Sequence, residues 1–375
     1  MKKVFKYFDI LRQASVRTKR FSFGIAVLLI SMIFVFSILI SCENPWMKDI
    51  LDPLFKETNI YVAGSYNIDG SNGKACYWKN NTMVELVIPS GINTPFSNAI
   101  VVSGENVYVA GYYNLGSTGK ACYWVNGVSV DLHPAGANES NAYSIAVAGR
   151  DIYVAGYYTF SSNFQACYWI NGGAPIDLHA IGATESKANS IVVSGGRVYI
   201  AGSYTTGGYE QACYWVNGGI PIDLHSAGAS DSYTQAIVVS GGNVYVAGRY
   251  IDSIVKACYW INGAMTNLHP QGANSTDAQS IAVSGGSVYL VGWYNDGGSS
   301  KACYWVNGRL TNLHPSGATM SNAYSIALSS GNIYVAGRYS DGGSKACYWV
   351  NGAMTSLHPS GLNSSSTSGI AVARE

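Results

Sequence analysis

The chain has 375 residues, 48% of them hydrophobic and only 11% charged, with 43 Gly and 28 Tyr. That is too apolar for a disordered polymer, and so much Gly and Tyr at low charge points to an all-β protein with many tight turns. The formal net charge is +1, but the first 41 residues hold seven basic side chains against one acidic, leaving 15 basic against 20 acidic beyond them; no nucleic-acid partner is expected.

The basic residues Lys2 to Arg20 precede the uncharged stretch "FSFGIAVLLISMIFVFSILI", Phe21–Ile40. This order reads as a secretory signal, and its length also suits a spanning helix kept as a signal anchor. The next residues, "LISC" at Leu39–Cys42, resemble the lipobox of bacterial lipoproteins, in which the Cys becomes the lipidated N-terminus. The resemblance implies a signal peptide over 1–41 and a lipid anchor on Cys42. Both export readings place the remainder in the cell envelope, outside the cytoplasm, periplasmic or surface-exposed. Residues 42–58 form a tether. Trp46, Ile50 and Leu54 share a helical face there, although Pro53 limits any helix to the residues before it.

From Asn59 the chain repeats itself. "VYVAG" or a near variant starts at Ile60, Val107, Ile152, Val198, Val244, Val288 and Ile333. "ACYW" places Cys76, Cys122, Cys167, Cys213, Cys258, Cys303 and Cys347, and a "SIAV" string follows in each unit. Each unit supplies four short strands rich in Val, Ile, Tyr and Trp; in the last full unit they are "SIALS", "NIYVAGRY", "KACYWVN" and "MTSLH". Gly-Gly and Asn-Gly between them suit type I′ hairpins, because both turn residues tolerate positive φ. Four strands every 40–50 residues are a β-propeller signature. The repeat region opens on a second strand and ends on an orphan first strand, "SGIAVARE", so the C-terminus supplies the missing strand of the first blade. The expected fold is a seven-bladed β-propeller over 59–375, closed by Gly369–Ala373.

The run "ACYWVNGAMTNL…SGA…SNAYSIALSSGNIYVAG" resembles the HAF family of extracellular repeats over all seven units, with Cys-Tyr where that family has Phe-Leu. The resemblance implies an extracytoplasmic repeat protein and no catalytic residue.

A four-stranded blade puts its tight first–second and third–fourth hairpins on one face of the disc and its longer loops on the other. Binding residues concentrate on loops held by a rigid scaffold, so the long-loop face is the expected working face. Every unit ends its second strand with a Tyr, from Tyr66 to Tyr339, expected to pack between blades with its hydroxyl at the rim. The residue before it varies: Ser65, Tyr112, Tyr157, Ser203, Arg249, Trp293, Arg338. Tyr, Trp and Arg are favoured in binding hot spots, which makes Tyr112, Tyr157, Arg249, Trp293 and Arg338 the candidate ligand-binding residues. The expected function is binding or scaffolding of a protein or surface matrix through this face. A lectin-like glycan-binding propeller is the alternative, and a glycoside hydrolase a remoter one.

The six His follow Leu at the end of strand four, from His133 to His358. Neighbouring equivalents on so wide a ring lie more than ~15 Å apart, too far to share a metal, so structural hydrogen bonds are expected and neither metal nor cofactor is. Equivalent cysteines are likewise about 14 Å apart, beyond the reach of a disulfide; seven reduced, buried thiols beside the Trp two residues on are expected. Lys74, Lys120, Lys256, Lys301 and Lys345 start strand three and read as solvated edge charge. No catalytic motif stands in the chain, and the loop acids Asp69, Asp252, Asp296 and Asp341 occur singly, whereas a glycosidase needs two close carboxylates. The sequence reading is therefore of no enzyme.

Overall fold

The computed structural model describes residues 57–374, apart from 69–72, 90–92, 179 and 227. The export segment, Cys42 and the tether up to residue 56 lie outside the described residues, as do Asp69 and His179. The described chain is all-β and forms seven four-stranded antiparallel sheets arranged as the blades of a propeller. Blade 1 runs Ser364–Arg374, Thr58–Asn67, Lys74–Lys79, Thr82–Glu85 from one edge to the other. Its first strand is thus the C-terminal one, as the sequence implies, and it pairs along the whole second strand from Thr58–Arg374 to Asn67–Ser364. Blade 2 is Asn93–Ser103, Asn106–Leu115, Thr118–Val125, Val128–Asp131, and the remaining five follow the same order. First strands of neighbouring blades touch one another right round the ring, so they are innermost.

Local turn chemistry explains the hairpins. Asn126 and Gly127 have φ of 50° and 87°, the left-handed pair that a type I′ turn requires. The Asn126 side chain accepts a hydrogen bond from the Val107 N–H at 2.9 Å, which ties the third–fourth hairpin to the start of the second strand. The same bond recurs in all seven blades, from Asn80 to Asn351. Both tight hairpins of every blade therefore lie at one end of the disc, and the long loops at the other.

Each first strand carries a bulge opposite the glycine of the second strand, as between Ala188 and Ser190 opposite Gly202. A Cβ on Gly202 would overlap the Lys187 carbonyl oxygen and lie 2.6 Å from Trp215 Cζ3. The repeated glycine is thus required by the close approach of the bulge, and by nothing in the turn chemistry.

The hydrophobic core is divided among the seams between blades. At each seam one blade offers its Ala and Tyr side and the next its Cys and Trp side: Ala63, Ala75 and Tyr77 of blade 1 meet Val109, Cys122 and Trp124 of blade 2. Val62, Cys76 and Trp78 close the ring against Ala336, Ala346 and Tyr348 of blade 7. The seven cysteines are buried and unpaired, and burial pushes their thiols far above the ordinary range. They fill space beside their tryptophans and have neither the exposure nor the thiolate for redox chemistry.

Candidate functional site

The regular spacing of the histidines invites a metal. His133 of blade 2 holds Ser140, on the first strand of blade 3, through Nδ1 at 2.8 Å. The same Ser140 oxygen accepts the backbone N–H of Ala121 in blade 2 at 2.8 Å. In blades 5 and 6, Nε2 of His269 and His314 sits 3.0 Å from the carbonyls of Ala273 and Ala318. The neutral ring carries its proton on Nε2, where a backbone carbonyl can only accept, so Nδ1 accepts from the hydroxyl. His225–Ser232, His269–Thr276, His314–Ser321 and His358–Ser365 repeat the staple. Where Val87 replaces the His, Pro95 replaces the hydroxyl residue opposite Tyr113, so both halves are absent together. Among the described residues no group of three His, Cys, Asp or Glu is placed to hold a metal.

The staple needs a neutral imidazole. Burial lowers the pKa of His133, His269 and His358, and nearby Lys120 and Lys345 lower the first and last further. The unfolded chain then takes up protons first as pH falls below about 6.5, so the contribution to stability is complete above that value and is lost below it. The melting temperature is expected to fall between pH 7 and pH 5.5. His133→Gln, His269→Gln and His358→Gln together should flatten that dependence in a thermal scan; a wild type that melts alike at both pH values contradicts it.

The repeated tyrosine packs between blades, as expected from the sequence. Tyr66, Tyr113, Tyr158 and Tyr250 are buried, and the hydroxyls of Tyr66 and Tyr158 donate to Glu85 and Asp177 of the fourth strand. Four of the five lysines that start strand three are neutralised locally: Lys74 by Glu85, Lys256 by Asp252, Lys301 by Asp296 and Lys345 by Asp341. Lys120 lies near His133 instead. A shallow open cleft by Leu115, Lys120, His133 and Asn138 contains none of the candidate residues.

The variable residues lie at the long-loop end of the second strands, each directly opposite a residue of the inner strand. They mark the long-loop end of the inner two strands, the mouth of the ring. Tyr112 stacks on its partner Phe96 with centroids 4.9 Å apart. Tyr157 is only 4% exposed; its ring meets Tyr143 at 5.6 Å and Phe164 at 4.8 Å, and its hydroxyl donates to Glu139 at 2.6 Å. It supports this aromatic arc from beneath. Burial pushes the Tyr143 hydroxyl up to about 12, and Lys187 of blade 4 lies 4.1 Å from the Phe164 ring centroid.

On the other side of the mouth, Arg249 of blade 5 reaches Asp277 of blade 6 through Nη1 and lies 4.7 Å from the Tyr233 ring centroid. Asp277 is 1% exposed. Burial pushes its carboxyl up, opposed by Arg249 and Gln279, both bonded to Oδ2. Trp293 stands directly opposite Asp277 in register. Arg338 of blade 7 lies 5.8 Å from the Tyr324 ring centroid. The structure therefore sorts the five candidates into an aromatic arc, Tyr112 and Tyr157, and a cationic arc, Arg249, Trp293 and Arg338.

No family model and no curated protein matches the chain. Solved structures do. A polysaccharide lyase of family PL25, an ulvan lyase, is 12% identical with a TM-score of 0.49, over 78% of this chain and 90% of its own. A Trypanosoma rangeli sialidase in complex with sialic acid is 11% identical with a TM-score of 0.43, over 76% and 56%. A prolyl endopeptidase is 12% identical with a TM-score of 0.46, over 90% and 54%. The chain spans just over half the length of the last two.

These neighbours overturn the reading of no enzyme, because all three are enzymes. Catalytic groups grafted on loops of separate blades leave no contiguous motif, so the lack of one excludes nothing. At this identity the likeness is one of fold and assigns no activity.

Several mouth residues escape a sequence reading. Phe96, Asn141, Lys187, Tyr233, Asp277 and Asn322, the inner-strand partners, precede the bulge, which shifts the two-residue alternation by one. The staple had a usable signal, a Ser or Thr seven residues after each His.

Proposed function

We propose that the chain is an extracytoplasmic binding protein of the HAF-like kind, anchored to the membrane by lipid on Cys42, and that it engages the surface matrix through the mouth at its long-loop end. The carrying observation is the variable position itself. Five of its seven residues are Tyr, Trp or Arg, and four of these five meet aromatic partners at the long-loop end. The other repeated positions are occupied by blade packing and staples. The described chain enters blade 1 at Thr58, on the tight-hairpin face opposite the mouth.

A protein partner is the second reading. It is favoured by exposed apolar residues at the second–third loops of five consecutive blades: Ile68, Leu115, Phe160, Tyr209 and Ile254. Such a row of tips is an interaction surface rather than scattered exposure.

Two variants test the two halves. Cys42→Ala is expected to move the protein from the membrane fraction to the soluble fraction, and the released chain should still co-sediment with isolated envelope material unless Trp293→Ala is added. Retention in the membrane without lipid label contradicts the anchor, and co-sedimentation indifferent to Trp293 contradicts the mouth.

A further inference from the structure

We infer that the arc Arg249, Trp293, Arg338 is a subsite for a uronate-containing oligosaccharide, an assignment that rests on the mouth being the ligand site. The three residues hold the same position in three consecutive blades, 5, 6 and 7. Equivalent positions of neighbouring blades are on the order of 10 Å apart at this radius. The order is cation, flat aromatic ring, cation.

Arg249 is fixed before any ligand arrives. Nη1 is held by Asp277, and the guanidinium plane lies over Tyr233. Its side chain remains 29% exposed, so part of an immobilised fork stays accessible to solvent. An arginine held in this way loses little freedom when it binds a planar two-oxygen acceptor.

Arg338 has the opposite character. Among the described residues it has no carboxylate partner; its guanidinium lies over the Tyr324 ring. Its side chain is half-buried, so the guanidinium remains within reach of an anionic group at the mouth. The outer cations offer no substitute, since Lys256, Lys301 and Lys345 are each held by an acid of their own loop. The uncompensated positive charge of this sector is therefore at the mouth and not at the rim.

Trp293 supplies the middle contact. It is partly exposed, and no aromatic or cationic group is stacked on it among the described residues. The loops of blades 6 and 7 beside it are the short polar turns Asp296–Gly298 and Asp341–Gly343, without the apolar tips of blades 1–5. A pyranose ring has one apolar C–H face, which suits an open indole, and its hydroxyl edge suits flanking polar groups. A carboxylate on that ring matches the arginine fork in shape and charge. An acidic peptide is less well served, because its carboxylate side chains bring no ring face to the Trp293 indole. The ring carries excess negative charge overall, so recognition is by contact, and its salt dependence should correspond to about one ion pair.

The test titrates the full chain, solubilised in detergent, with three probes: tetragalacturonate, neutral galactotetraose and tetraglutamate. Tetragalacturonate is expected to bind at least tenfold more tightly than either of the others. Arg338→Gln and Trp293→Ala should each weaken it at least tenfold, and Arg249→Lys, which keeps the charge on Asp277 but loses the fork, should weaken it as well. If Trp293→Ala melts early, Arg338→Gln decides alone, since Arg338 holds up no partner but a ring. Equal binding of galactotetraose overturns the anionic assignment while leaving a saccharide site at the mouth. Equal binding of tetraglutamate overturns the saccharide. Binding of none of the three overturns the proposal, and the mouth itself then stands or falls on whether envelope co-sedimentation requires Trp293.

Discussion

Deletion of Ser368–Glu375 is expected to abolish the cooperative folding of the whole ring or to weaken it severely. The lost segment contains Gly369–Arg374, paired with Thr58–Ala63 at the centre of blade 1. Ile370 leaves the seam between blades 1 and 7, and its N–H leaves the Ser325 hydroxyl of blade 7. A buried Ile is worth about 1.5–3 kcal/mol, and each lost backbone bond about 1 kcal/mol more. The total approaches the roughly 5–15 kcal/mol that holds a domain together. The damage also spreads, because no blade buries its two faces without both neighbours. Calorimetry should show either no cooperative transition or one lowered by more than about 10 °C. Melting like that of the intact chain would mean that the ring is not held by its last strand.

Gly202→Ala is expected to be the most damaging single substitution of its size. The added methyl would overlap the Lys187 carbonyl of the bulge and press on Trp215, and neither backbone nor a fully buried indole can move aside. Overpacking of this kind costs typically about 1–3 kcal/mol, with backbone clashes at the upper end or beyond. Gly298→Ala is the matched control. It lies in a loop with open space around its Cβ position, and a change there should stay within about 0.5 kcal/mol. Urea unfolding of the two variants distinguishes a glycine demanded by packing from one that is merely frequent. Equal midpoints would remove the bulge from the account.

Blade number, strand order, ring closure and the Asn-Gly hairpins were legible because they rest on local chemistry: turn residues, strand alternation and a spacing that repeats. The cysteines were legible too, because sevenfold geometry alone separates them. The mouth was legible only by half. Variation at Arg249, Trp293 and Arg338 showed where to look, but the inner-strand partners did not emerge. Asp277 reads as an ordinary polar residue of an edge until the bulge turns it towards Arg249. Tyr157 is the converse case. It varies like its equivalents, yet packing places it beneath the surface. Variation locates the region, and burial decides which side chains can reach a ligand.

The central claim is that the long-loop mouth, and not the rim or the hairpin face, meets the surface matrix. Oxidative footprinting of the full chain with and without isolated envelope material tests it most directly. Trp293 and Tyr112 report the mouth, while Met83, Met265 and Met354, exposed on the outermost strands, report the rim. The account predicts that envelopes protect Trp293 and Tyr112 and leave the three methionines as reactive as before. Protection of the methionines with Trp293 unchanged would contradict it.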